Sequence, residues 1–310
     1  MHRILQTWFV RHTGTAVLIL VSGGAANGVL ADNQKKSLSV EALRAEAAQA
    51  FATKQYAVAI PRFRELLKAH GLDELTPPAE PKALWSKDLS DVFFMMGESY
   101  RELAANCKTA PCRDDCLKRG LTAFNHHAQQ LDVAFQIDLG RIKVDPEDEE
   151  AVRTDGPGYD FDVAPARFVD VLLFCLEASG RSRERLQEEA PDLYSRFHSF
   201  AVRYAPDHGA PRIVALPRSA SYATAGLDVG VAQDHGWKWL HQNLEAYPGW
   251  PLKIDIVTCP SGATEVVAKW DLSSDLSKNR QPSWSVTRLA LEGDTLRLIG
   301  EMLLPESICH

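Results

Sequence analysis

Residues Ala47–Lys68 read AAQAFATKQYAVAIPRFRELLK, two short amphipathic segments joined by a polar elbow at Thr53-Lys54-Gln55. Ahead of the elbow Leu43, Ala47, Ala50 and Phe51 recur at helical spacing, and behind it Tyr56, Ala59, Ile60, Phe63, Leu66 and Leu67 do the same. A helix with one apolar stripe has to bury it, and a three-residue elbow lets the two stripes face each other. Ala47 and Ala59 are small where the axes would approach, while Phe51, Tyr56 and Phe63 supply bulk on either side. The stretch therefore predicts a helical hairpin.

The order small, aromatic, Tyr, Ala, large aromatic, aliphatic, filled here by Ala47, Phe51, Tyr56, Ala59, Phe63 and Leu66, resembles the tetratricopeptide (TPR) repeat. The family's Gly before the turn is Lys54, its closing Pro is absent after Lys68, and Pro61 falls early in the second helix. Gly97 and Tyr100, in an amphipathic segment from about 89 to 105, resemble the first helix of a second unit. Gly120, Phe124 and His127 take the family's Ala, aromatic and Ala places in its partner, Cys116–Leu131. The resemblance covers at most Leu43–Leu131, and its first unit carries it. It implies a solenoid whose concave groove holds a protein or peptide, with Arg44, Gln55, Glu98 and Arg101 as groove candidates.

Helical pattern returns at Ala166–Ser179 and again from Ser182 to Tyr204, a third pair on this reading. Pro206–Pro211, with Gly209 inside it, marks a boundary. Beyond it the period changes. Ile213–Leu216, Leu227–Ala232, Trp237–Leu240, Leu252–Thr258, Glu265–Asp271, Ser283–Leu291 and Thr295–Leu303 are short, rich in Val, Ile, Leu and Trp, and parted by turns such as Glu292-Gly293-Asp294. The expected fold is α+β in two domains. A TPR-like α-helical array occupies residues 32–205, a linker 206–211, and a small antiparallel β-sandwich or barrel 212–310.

Residues 1–31 hold Arg3 and Arg11, no acidic residue, the apolar run Ala16–Val21 and small residues before Asp32. That is the pattern of a signal peptide cleaved after Ala31. Ser22, Gly23, Gly24 and Asn27 interrupt the run, short of the roughly 20 apolar residues a membrane anchor needs. About 280 residues then remain, with 32 basic against 41 acidic side chains and a net charge of −9. Such a chain does not suit nucleic acid, whose binding requires clustered positive charge. The expected location is the periplasm or exterior of a Gram-negative cell, with nothing spanning the membrane after cleavage.

Cys107, Cys112 and Cys116 form a C-x4-C-x3-C cluster, and Cys175, Cys259 and Cys309 complete six. In an oxidising compartment disulfides are expected, since a structural zinc site needs four converging ligands. Cys259 with Cys309 is the natural pair of the β half. The other four allow three connectivities, with Cys107 closing the elbow through Cys112 or Cys116, and Cys175 suits a buried thiol. The acidic stretch Asp145–Asp162 does not follow the spacing of an EF-hand loop and reads as a solvated linker, so no metal or cofactor is assigned.

The sequence contains no G-x-S-x-G, H-E-x-x-H or phosphate-binding loop. Asp207-His208 and Asp234-His235 are adjacent pairs, with Ser219 and Ser221 between them, and adjacent residues on a strand point apart. Five of the seven tryptophans lie in the β half, and Trp237 and Trp239 share one strand face with His241. They serve as core or, if exposed, as a stacking surface. The function these features imply is an exported, non-catalytic protein-protein interaction scaffold of the cell envelope. Two alternatives stand beside it: a carbohydrate or cell-wall binding module using Trp237 and Trp239, and an enzyme whose site no motif reveals.

Overall fold

In the structure, a computed structural model, the residues described are 39–74, 87–138, 165–197, 199–206, 209–221, 224–244, 251–271, 284–293 and 295–302. The leader, the acidic stretch, the Asp207-His208 pair and Cys309 lie outside them.

Helix α1 (Val40–Ala52) starts where the Ser39 hydroxyl accepts the Ala42 N–H at 3.2 Å. It stops at Lys54, which takes a left-handed φ of 60°. The Lys54 N–H donates to Phe51 O at 2.9 Å and the Gln55 N–H to Ala50 O at 2.8 Å, which satisfies two terminal carbonyls. This is the place where the TPR pattern has glycine, and a lysine there bears about 1–2 kcal/mol of backbone strain. Helix α2 (Tyr56–Ala69) runs through Pro61, which is exposed. It ends in the same way with Gly71 at φ 72° and the Leu72 N–H on Leu67 O. Ala47 and Ala59 are fully buried, and the Phe51 ring stands edge-on 6.0 Å from Tyr56 and 6.5 Å from Phe63.

Helices α3 (Lys87–Asn106) and α4 (Ala110–Asp138) form the second pair. Gly97 is required by close approach, because a Cβ there would sit 2.6 Å from the buried Phe124 ring. Gly120 plays the same part toward α5 (Pro165–Ala178), where an added Cβ would meet the Phe174 ring at 2.5 Å. His127, in the family's Ala place, is fully buried with its ring 5.1 Å from Phe94. Glu74, also buried, accepts from Arg64, from the Tyr100 hydroxyl and, at 3.4 Å, from Arg119, which ties α2, α3 and α4 together. Burial and then this carboxylate push the Tyr100 hydroxyl well above its ordinary pKa.

The stretch from Ser182 to Tyr204 breaks before Pro191, as its sequence suggests, but is helical only to Phe197 rather than to Tyr204. It forms α6 (Arg183–Glu189), α7 (Pro191–Phe197) and a strand, β1 (Ala201–Tyr204). Ala190, at φ −144°, breaks the helix, and Pro191, which can donate no backbone hydrogen bond, starts the next one. Asn125 of α4 fixes α7, its Oδ1 accepting the Leu193 N–H at 3.0 Å. β1 then pairs antiparallel with β2, Ala201 opposite Ala215.

Seven further strands follow: β2 (Pro211–Ser221), β3 (Thr224–Gln233), β4 (Gly236–Leu244), β5 (Pro251–Thr258), β6 (Thr264–Asp271), β7 (Trp284–Glu292) and β8 (Thr295–Met302). They build two four-stranded antiparallel sheets in the orders β1-β2-β3-β4 and β5-β6-β7-β8. Gly262 (φ 85°) turns β5 into β6 and Gly293 (φ 57°) turns β7 into β8. Among the described residues the chain is thus a mixed α+β fold with seven helices.

Alternation decides what each face of the first sheet covers. Ala201, Ile213, Ala215, Leu227, Val229 and Leu244 share one apolar cluster with Ile254, Val266, Ala268, Trp270 and Leu289 of the second sheet. Val214 and Leu216, on the opposite face, belong to the cluster built by the helices, with Val202, Trp237 and Trp239 packed against it. Inside the second sheet Arg288 pairs bidentately with Glu265 at 2.8–2.9 Å, both buried, and the Trp270 Nε1–H donates to Thr287 Oγ1 at 3.0 Å.

Candidate functional site

A cleft of about 250 Å³ opens where α3, α4 and α5 meet the start of the first sheet. Arg101, Ala104 and Ala105 come from α3, Arg113 and Leu117 from α4, and Asp170, Leu173, Phe174 and Glu177 from α5. Arg181, Tyr204 and Pro211 close the sheet side. The α5 residues arrive there through helical spacing: residues 170, 173, 174 and 177 lie on one stripe while Val169, Val171, Leu172 and Cys175 are buried. Drug-sized ligand pockets usually start at about 300 Å³, so this space suits a side chain or a chain terminus better than a cofactor.

Three guanidinium groups and two carboxylates meet at the cleft, and two of the arginines are already ion-paired. Arg101 donates to Glu98 at 3.1 Å and to Glu102 at 2.7 Å, and Arg113 pairs with Glu177. Burial opposes the charge on Arg101, but the Glu98 hydrogen bond and the Glu102 and Asp170 carboxylates outweigh it and raise the pKa. Desolvation lifts Asp170 above the usual carboxylate range; Arg101 pulls it down, and Glu98 and Glu102 push it up. The Arg181 guanidinium lies 4.6 Å over the Tyr204 ring and donates to Gly209 O at 3.3 Å. Burial, chiefly, raises the Tyr204 hydroxyl. Three guanidinium groups thus stand among the carboxylates of Glu98, Glu102, Asp170 and Glu177, between two aromatic walls, Phe174 and Tyr204.

Of the four groove candidates, Arg101 lines this cleft and Glu98 holds Arg101 in place. Arg44 lies on α1 and Gln55 at the elbow before α2, and neither is among the lining residues. Arg113, Asp170, Glu177 and Arg181 come from segments without a repeat signature, so spacing within the first two units could not find them.

Trp237 and Trp239 are half-buried, their rings 6.3 Å apart and tilted by 38°. Both rest over Gly230, where an added Cβ would meet each indole at 3.1 Å. His241 follows on the same face, with Nδ1 2.7 Å from Oδ1 of the buried Asp228 directly opposite on β3. The sequence singled out the indoles and the imidazole. Asp228 emerges only from the β3–β4 register. His235 sits exposed in the turn between these strands.

At the elbow between α3 and α4, Cys107 and Cys112 form a disulfide, and Cys116 and Cys175 are buried free thiols. Burial raises the Cys116 thiol, and complete burial raises Cys175 further. Cys259 is disulfide-bonded; Cys309, its expected partner, lies outside the described residues. No described helix is long and apolar enough to cross a membrane. Compared with family models, curated proteins and solved structures, the chain matches none.

Proposed function

We propose that this chain is an exported, non-catalytic scaffold of the bacterial cell envelope that holds a protein or peptide partner against a TPR-like helical array. One observation carries the reading. Paired helices pack through small residues, the fully buried Ala47 and Ala59 in the first pair and Gly97 against the Phe124 ring in the second, and a three-arginine cleft opens beside the second pair. The cleft takes an acidic side chain or a C-terminal carboxylate of the partner, with Arg101 and Arg113 exchanging part of their local pairing for it.

Affinity capture from envelope extract with the full chain tests this, compared with an Arg101→Glu/Arg113→Glu variant. Loss of the same captured protein from the variant is the expected result. Unchanged capture would place the binding surface elsewhere, and Arg44→Glu with Gln55→Ala would then test the first pair.

A second reading is a carbohydrate or cell-wall contact on the first sheet, made by the part of the Trp237 and Trp239 rings that their packing on the helical cluster leaves open, with His241 oriented by Asp228. Peptidoglycan sedimentation with the whole chain separates the two. Binding that Trp239→Ala abolishes and Arg101→Glu leaves intact favours the sheet.

A further inference from the structure

We propose that the elbow between α3 and α4, where the sulfurs of Cys107, Cys112 and Cys116 converge, is a three-thiolate site for a soft monovalent metal ion of the copper(I) class, closed while Cys107 and Cys112 are joined. The three Sγ atoms all lie within 4.8 Å of one another, and Cys107 and Cys116 are 3.9 Å apart. Sulfurs around a metal at about 2.3 Å in a trigonal plane stand about 4 Å apart, so the Cys107–Cys116 edge already has the required length. Cys112 and Cys116 sit four residues apart on α4 and therefore share a helix face, while Cys107 reaches them from the loop before it.

The number of ligands selects the metal. Among the described residues the cluster contains three sulfurs, with no imidazole or carboxylate joining them. Structural zinc requires four donors, whereas soft thiolates in a set of three suit copper(I). Cys116 is buried and Cys112 exposed, so the site has a dry side and an entry side. Cys112 also lies in the first turn of α4, where the helix terminus favours a thiolate. Three thiolates and one Cu⁺ carry a net charge of −2. Lys108 and Lys118 lie in the stretch 107–119, while Arg113 and Arg119 there are already paired with Glu177 and with Asp115 and Glu74.

Opening the site takes two electrons and two protons from a dithiol reductant, which becomes a disulfide as Cys107 and Cys112 become thiols. Binding one Cu⁺ then forms three Cu–S bonds and releases three protons. A disulfide oxidant that takes two electrons from the Cys107 and Cys112 thiolates, and two protons from solvent, becomes a dithiol as their disulfide re-forms; this removes two of the three ligands and expels the ion.

The test is a titration of the full chain, reduced with a phosphine under anaerobic conditions, with Cu(I) against a chromogenic copper(I) chelator. Wild type should retain one equivalent more than Cys116→Ser. Cys112→Ser, at an exposed position that leaves packing intact, should lose the same equivalent, whereas Cys175→Ser should keep it. Thiols from Cys259 are common to all these proteins and cancel in the comparison. The unreduced chain should lack that equivalent. Equal retention by wild type, Cys116→Ser and Cys112→Ser, or equal retention by the unreduced chain, would overturn the assignment.

Discussion

Replacing Gly97 with alanine puts two opposing effects in competition, and the sign of the outcome reports how closely α3 and α4 approach. Alanine is favoured over glycine in a helix interior by about 0.8–1.0 kcal/mol. Its methyl group would lie 2.6–2.8 Å from three atoms of the Phe124 ring, which is fully buried and has no route to solvent. Forcing a methyl into a packed core costs about 1–3 kcal/mol. The net expectation is a loss of up to about 2 kcal/mol, or a fall in Tm of up to about 4–8 °C for a chain of this size. Urea unfolding followed by far-UV circular dichroism measures it, with an unchanged m-value showing that the denatured state is unaffected. Phe124→Leu makes room, so the double variant should recover about 1 kcal/mol or more of coupling in a double-mutant cycle. If Gly97→Ala instead raised the midpoint by the full helix-propensity increment, the close helix pairing described above would be wrong.

Lys54→Gly should stabilise the chain by up to about 1 kcal/mol in the same assay, because glycine carries no Cβ strain at φ 60°; a loss would mean that the elbow is held otherwise. Arg288→Met strands the buried Glu265 carboxylate inside the second sheet and should cost about 3–5 kcal/mol, while Glu265→Leu/Arg288→Met should recover most of that. An equal loss in both variants would show that the pair itself stabilises the sheet. Burial lowers the pKa of His126 below its ordinary 6.5, with Asp192 pulling the other way. The unfolded chain then takes up the proton first, so stability should fall as pH drops below about 6.5 toward the lowered value. His126→Leu should flatten the unfolding midpoint between pH 7.5 and 5, and an unchanged slope would move the effect to another group.

The sequence reveals much of the fold because so much of it is periodic. Ala47, Ala59 and Phe63 announce α1 and α2 by spacing, and short runs rich in Val, Ile, Leu and Trp, the last two alternating about Glu292-Gly293-Asp294, announce β2 to β8. β1 escapes because Phe197, Phe200 and Ala201 continue a helical spacing while four residues, Ala201–Tyr204, gain their strand geometry only by pairing with β2. Long-range partnerships are equally silent. Nothing near Glu74 in the chain foretells Tyr100 and Arg119, and nothing near Asp228 foretells His241 before the register is known. Of the cleft, Arg101 is visible through the repeat likeness. The remaining charges arrive from the start of α4, ahead of its repeat-like positions, and from α5 and the turn after it, which carry no repeat signature.

The first sheet also constrains how this molecule can be handled. Its two surfaces are committed in opposite directions, Val214 and Leu216 toward the rods and Ala215 and Val229 toward the second sheet. A cut at Pro211 would therefore strip β2 of β1, one of its two neighbours, and bare an oily flank to water. The halves are not exchangeable cassettes, and a fusion or truncation that treats them so will be severing a common interior.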